Sequence, residues 1–329
     1  MKHRGLATGL SLVIALLIVG LVTMPQIGVA LTRAHKAWGT PLPSRPPPDD
    51  PKAFDARPGP PKGRLVGDHW VVEEIAPGTF AIGEPQGDLD NYEYLLIGTS
   101  RALLIDAGAA TDDLHAVAAG LTDLPITVIP THLHFDHTHG LAHFSDIALI
   151  DLPETRAHLV DGKIDLHRYN YGLPLDDEAA SSFAVTQWVA PDSLIDLGDR
   201  SVQVLWTPGH TATSVTLFDA AAGLAFTGDL IYTTTLYAYN PDSSLSAYVA
   251  TFDRLLAKLP PATKIYGAHC CRNDAPPEAP WLAMEDVRDA KHAIEAIIDH
   301  TASGKGGLMR RFPVNSRMTI LTYYPFGNW

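Results

Sequence analysis

Short apolar runs of four to seven residues recur along this chain, punctuated by proline, glycine and polar clusters, and they set out a succession of strands. In the first half the pattern predicts strands over Trp70 to Ile75, Thr79 to Ile82, Tyr92 to Ile97 and Ala102 to Ile105. Pro77-Gly78 and the polar Gly87 to Asn91 segment mark the breaks. Thr111 can cap a helix that carries Asp112 and Asp113 in its first turn and runs to about Leu121. A buried strand, Ile126 to Pro130, comes next. The second half repeats the rhythm with Val202 to Trp206, Ser214 to Phe218, Leu224 to Phe226 and Lys264 to Tyr266, then an amphipathic helix over Glu285 to Thr301, stopped near Gly304. Strands interleaved with helices predict an α/β fold. The stretch Asp161 to Pro191 fits no clean period and reads as an insertion (161–191) that covers a site.

The N-terminus departs from this rhythm. After Lys2 and Arg4, Gly5 to Thr32 runs for 28 residues without an ionisable side chain. Residues 1–32 therefore read as a membrane anchor or as an export signal, with Gly28-Val29-Ala30 as a small-residue cleavage site. Either way the charge bias places the remainder of the chain on the extracytoplasmic side. Nine prolines between Pro41 and Pro61 make residues 33–63 a semi-rigid linker, and the folded domain is expected over 64–329.

Composition narrows the function. With 46% hydrophobic and 19% charged residues the chain can bury a large core, and its net charge of −13 argues against nucleic acid as a partner. The only cysteines, Cys270 and Cys271, are adjacent, which excludes a disulfide framework but leaves a vicinal disulfide, quiet packing or an approach to a metal open.

The densest chemistry lies at Thr131 to Gly140, where His132, His134, Asp136 and His137 fall within six positions at a strand end. Imidazole nitrogen and carboxylate oxygen in that density point to a metal site. Three further strands end at His210 (Thr-Pro-Gly-His-Thr), Asp229 (Thr-Gly-Asp) and His269 (Gly-Ala-His). His139 stands in the first cluster as an exposed loop side chain, a substrate contact or a donor behind the ligands.

These segments, together with Leu103-Leu-Ile-Asp106-Ala-Gly108, resemble the metallo-β-lactamase superfamily in order, spacing and context over roughly Gly67 to His269. The resemblance implies an αββα sandwich, two mixed β-sheets packed face to face with helices outside. It implies two ions, expected to be Zn²⁺ with iron or manganese as alternatives. His132, His134 and His210 would hold one, Asp136, His137 and His269 the other, and Asp229 would bridge them. It further implies a hydrolase acting on a small molecule with an ester-like carbonyl (thioester, lactone or lactam) by attack of a metal-bridging hydroxide, with Asp136 orienting the water. Tyr232, Tyr237 and Tyr239 would supply an oxyanion donor or simply line the wall. Hydroxyacylglutathione hydrolases and acyl-homoserine lactonases share this signature. A mononuclear iron sulfur dioxygenase, a β-lactamase proper and a tethered non-catalytic binding protein are the competing readings. Asp229 stands where some members place a cysteine ligand, which argues against that branch of β-lactamases.

Overall fold

The computed structural model describes residues 63–66, 70–84, 90–109, 114–166, 182–240, 242–270 and 279–325. The first sheet runs in order through β1 (Arg64–Val66), β2 (Trp70–Ala76), β3 (Thr79–Glu84), β4 (Asp90–Ile97), β5 (Ala102–Ile105) and β6 (Ile126–Ile129). It is antiparallel up to β5, and β5 pairs β6 in parallel. Gly78, at φ +64°, makes the turn between β2 and β3 that a side chain would strain. All four residues of β5 are buried, as expected of a strand covered on both faces. Beyond the parallel pair, β7 (Ala148–Ile150), β8 (Leu159–Val160), β9 (Lys163–Asp165), β10 (Ser182–Ala184) and β11 (Gln187–Val189) form two small sheets, β10-β9-β8 and β11-β7.

The second large sheet comprises β12 (Leu194–Asp196), β13 (Ser201–Trp206), β14 (Val215–Asp219) and β15 (Leu224–Gly228). After β16 (Thr234–Tyr237) leaves for another sheet, β17 (Lys264–Gly267) completes it in parallel with β15. The two large sheets share one core, in which Tyr94, Leu103, Ile105 and Ile129 meet Val204, Leu217, Phe226 and Tyr266. Across that interface Tyr94 donates its hydroxyl hydrogen to the Gly267 carbonyl at 2.6 Å. Helix α1 (Leu114–Ala119) covers the outer face of the first sheet. After the short α2 (Phe135–Thr138) and α3 (Pro153–Arg156), helices α4 (Leu245–Lys258) and α5 (Met284–Ile298) cover the second. Helix, sheet, sheet, helix is the layer order, an αββα sandwich.

Helix α4, a short strand and a C-terminal sheet are among the elements not expected from the sequence. Helix α4 begins at Ser244, whose hydroxyl accepts the Ala247 N–H at 3.3 Å, and buries Leu245, Tyr248, Phe252 and Leu255 against the second sheet. Burying each such large side chain contributes roughly 1.5–3 kcal/mol. A short strand, β18 (His269–Cys270), joins β4 of the first sheet. Then β19 (Lys305–Gly306), β20 (Met309–Pro313) and β21 (Met318–Tyr323) build a C-terminal sheet ordered β16-β21-β20-β19. The apolar segment and proline-rich linker expected at the N-terminus lie outside the described residues, as does 167–181 within the expected insertion. Among the described residues no helix is long and apolar enough to cross a membrane.

Candidate metal centre

Each large sheet delivers donors to one edge of the sandwich. Directly after β5, Asp106 adopts φ +65°, a conformation that Asp tolerates better than most residues. Its carboxylate accepts the Thr131 N–H at 2.6 Å and the Thr131 hydroxyl at 3.0 Å, fixing the chain where it leaves β6. His132 follows, His134 precedes α2 in extended backbone, and α2 then presents Asp136 and His137. The Ala107 N–H bonds the His137 carbonyl at 2.9 Å, so the β5 turn holds both ends of the cluster. From the second sheet come His210 after β13 and Asp229 after β15. Gly228, at φ +52°, lets this turn approach: a Cβ there would stand 2.2 Å from the Thr131 hydroxyl oxygen. His269 arrives on β18, in register with Asn91 of β4.

All seven residues singled out by sequence meet, in two groups: His132, His134 and His210, and Asp136, His137, Asp229 and His269. In the first, His134 Nδ1 lies 3.0 Å from both His132 Nε2 and His210 Nε2. In the second, Asp229 Oδ1 lies 3.1 Å from His269 Nε2 and 3.3 Å from His137 Nε2, while Asp136 Oδ2 is 3.4 Å from His269 Nε2. The other oxygen of Asp229, Oδ2, turns to His210 Nε2 at 3.5 Å. One carboxylate thus faces both groups.

Electrostatics separate the two. Burial and the neighbouring imidazoles hold His132 well below the ordinary histidine range, and the same causes lower His134 to about 3. Burial also lowers His210, so all three are neutral with lone pairs available. In the second group burial opposes charge, but the surrounding carboxylates outweigh it. His137 is raised by Asp106, Asp136 and Asp229, and His269 reaches about 10 beside Asp229 and Asp136. The same pairing overcomes the effect of burial on Asp136, lowered to about 2, and on Asp229.

This donor set fits divalent metal. Nitrogens bound at about 2.0–2.1 Å to one tetrahedral ion stand roughly 3.3 Å apart, close to the spacing of the three imidazole nitrogens here. His137 Nε2 and Asp229 Oδ1 are buried and meet at 3.3 Å without forming a hydrogen bond, an arrangement that costs free energy unless a cation compensates the cluster. Two anchors set ring orientation. His210 Nδ1 lies 3.1 Å from the Tyr237 carbonyl, and His137 Nδ1 lies 2.9 Å from Asp106 Oδ2, so each ring turns Nε2 toward the centre.

The model of the metallo-beta-lactamase superfamily matches residues 88–269, more than half of the chain and every one of the seven donors. The chain belongs to the metallo-beta-lactamase superfamily. Over 189 residues, half of this chain and 65% of the relative, it is 30% identical to the acyl-coenzyme A thioesterase MBLAC2 of Gallus gallus. It is 29% identical over 187 residues to a hydroxyacylglutathione hydrolase of Maricaulis maris, covering 55% of this chain and 62% of that protein. The chain thus spans less than two thirds of the length of either relative. Among solved structures, a metallo-beta-lactamase from Pontibacter korlensis superposes with a TM-score of 0.52 at 17% identity, covering 69% of this chain and 99% of that one. That likeness concerns the fold alone.

Within this member of the superfamily, three supports of the centre are absent from the seven: Asp106, Asn91 and the Tyr237 carbonyl. Asn91 donates from Nδ2 to the Asp136 carbonyl at 2.7 Å while its strand pairs with His269, tying together two donors far apart in sequence. The signal for Asp106 was present in the Leu-Ile-Asp-Ala-Gly turn. Asn91 and the Tyr237 carbonyl carry no local signal, because their partners are distant. Tyr232 is wall: its buried hydroxyl oxygen accepts the Tyr237 N–H at 3.2 Å and its ring packs 5.2 Å from His269. His139 opens a short 3-10 turn, half-buried and apart from the converging donors. Cys270 is buried and disulfide-bonded.

Proposed function

We propose that this chain uses two divalent ions, with zinc the expected metal, to hydrolyse thioesters or related esters. Relatives that match over half of the chain are named thioesterases and hydrolases, and the chain is a metal-dependent hydrolase of their superfamily. The observation that carries the dinuclear reading is the Asp229 carboxylate, one oxygen toward each donor group. His132, His134 and His210 would hold one ion and Asp136, His137 and His269 the other, with Asp229 shared. Bound there, such ions lower the pKa of coordinated water toward neutrality and polarise a carbonyl oxygen.

The chain's own groups prepare that chemistry. Asp106 accepts a hydrogen bond from Nδ1–H of His137 and the Tyr237 carbonyl one from Nδ1–H of His210, leaving the Nε2 lone pair of each for a metal. Asp136 has the most accessible side chain of the second group, 23% exposed against 7% for Asp229, and is placed to orient water beside an incoming carbonyl. In the net reaction water forms the new C–O bond and the C–S or C–O bond to the leaving group breaks. One proton of water passes to the leaving thiolate or alkoxide, and the second is released from the new acid. A single-iron oxygenase would leave His134, Asp136, His137 and His269 without a second ion to bind, and their convergence with the other donors favours two ions.

The test is reconstitution of the metal-free protein, metal counting, and a screen of acyl thioesters, lactones and a chromogenic β-lactam. The expected outcome is about two divalent ions per chain with thioester cleavage, reduced at least a hundredfold by Asp136→Ala. One iron per chain without hydrolysis, or undiminished turnover in Asp136→Ala, refutes the reading. For location we propose the extracytoplasmic side, on the apolar Gly5 to Thr32 stretch behind Lys2 and Arg4. A reporter fused after residue 63 and found active in the cytoplasm would exclude it.

A further inference from the structure

We propose that the segment from Tyr237 to Thr251 sets the aim of His210, with Ser243 and Thr251 as positioning residues for the ion at the three imidazoles. This rests on the proposed binding of metal at both donor groups and adds to it residues that are not themselves donors.

Of the first group, only His210 comes from the second sheet. His132 and His134 follow β6, where Asp106 holds Thr131 and the Thr138 hydroxyl donates to the His134 carbonyl at 2.9 Å. One ion can join the three rings only if His210 Nε2 reaches the point that the first sheet fixes, and metal–nitrogen bonds tolerate an error of about 0.2 Å. Pro208, Gly209 and His210 lie between β13 and β14, off the ladder that pairs those strands. A donor carried on a loop needs its aim set from outside the loop.

That support comes from one stretch of chain. Three consecutive carbonyls of the loop accept hydrogen bonds from the start of α4: Pro208 from the Thr251 hydroxyl at 2.6 Å, Gly209 from the Ser244 N–H at 2.8 Å, and His210 from the Ser243 hydroxyl at 2.9 Å. Just ahead of this helix, the Tyr237 carbonyl meets the His210 ring. Ser244, Tyr248 and Thr251 follow at spacings of four and three, which places them on one helical face. The Tyr248 ring packs against the loop so closely that a methyl group added at Gly209 would stand 2.8 Å from its Cγ. Ser243 and Thr251 are buried, and a buried hydroxyl costs free energy unless it is bonded. Both spend that bond on the loop that carries His210. Because Leu245, Phe252 and Leu255 seat α4 in the core, the two hydroxyls are fixed points for the loop to hang on.

The test loads the full chain with two equivalents of cadmium-113, whose magnetic resonance reports the donors around each ion. Labelling the histidines with nitrogen-15 assigns one resonance to the ion coupled to His132, His134 and His210 and the other to the ion coupled to His137 and His269. Ser243→Ala and Thr251→Val are each expected to displace the first resonance, leave the second in place, and weaken one of the two ions about tenfold in competition with a chelator. Thr251→Ser, which keeps the hydroxyl, restores both readouts. Thr127→Val is the control: it removes a hydroxyl equally buried, which donates to Asp146 at 2.7 Å at the end of β6 remote from the donors. It lowers the melting temperature and moves neither resonance. Thermal melts report that each variant folds, and Thr251→Val with Thr251→Ser decides the matter should Ser243→Ala fail to. A first resonance unmoved by the loss of either hydroxyl, or moved as far by Thr127→Val, overturns the proposal while leaving two ions in place. An unaltered chain that takes up no cadmium removes the metal reading and the proposal together.

Discussion

His134 and His269 lie in one buried centre yet titrate in opposite directions, the first lowered to about 3 and the second raised from 6.5 to about 10. In His134 desolvation wins and the adjoining His210 imidazole adds to it, outweighing the more weakly felt Asp136 and Asp229, whereas His269 faces two carboxylates directly. These directions fix how the metal-free protein responds to pH. The raised His269 contributes stability that is fully present below 6.5 and is lost as pH climbs toward 10. The lowered Asp136 contributes stability present above 3.8 and lost as pH falls through about 2. A metal ion entering the second group displaces these protons, while the first group has none to lose. Affinity for the second equivalent should therefore rise about tenfold per pH unit for each proton displaced, with the first nearly flat. Competition with a chelator across that range measures both slopes, and equal slopes contradict this division of charge.

At the scale of elements, β4 does more than fill the sheet, because Asn91 near its start holds the backbone of α2 and pairs with β18. Asn91→Ala leaves the Asp136 carbonyl buried without its donor, a cost of about 1–3 kcal/mol. Loosening two donors at once should also lower affinity for the second ion by about 10–100-fold, leaving the first unchanged. Metal counting after dialysis against graded chelator checks this, and retention of both ions would show Asn91 to be structural only. Such cross-ties explain which features were legible in the sequence. The continuous apolar run of β5 announces a strand covered on both faces, and the strand ends at His132, His210, Asp229 and His269 announce a shared edge. Helix α4 carried its own signal, Ser244 followed by Leu245, Tyr248, Phe252 and Leu255 at helical spacing. The C-terminal sheet did not, since β20 holds two arginines and a proline and β21 is largely buried on both sides, leaving no clean alternation. Strand β18 is two residues long and has no period at all.

Over the whole molecule, the centre is a joint between two sheets. The first supplies His132, His134, Asp136 and His137, and holds His269 through β4. The second supplies His210 and Asp229, whose carboxylate spans both donor groups. Ions bound there cross-link the halves of the sandwich where the shared apolar core of Tyr94, Phe226 and Tyr266 reaches its edge. A ligand present at a thousandfold its dissociation constant stabilises the folded state by about 4 kcal/mol, which for a domain of this size raises the melting temperature by on the order of 10 °C. Chelation should therefore lower the melting temperature by that amount or more, and restoring metal should reverse it. Asp229→Asn weakens the one group that faces both sites, so in that variant the chelator should shift melting far less. A melting temperature indifferent to chelation in the unaltered chain would mean that the donors converge without metal joining the two sheets.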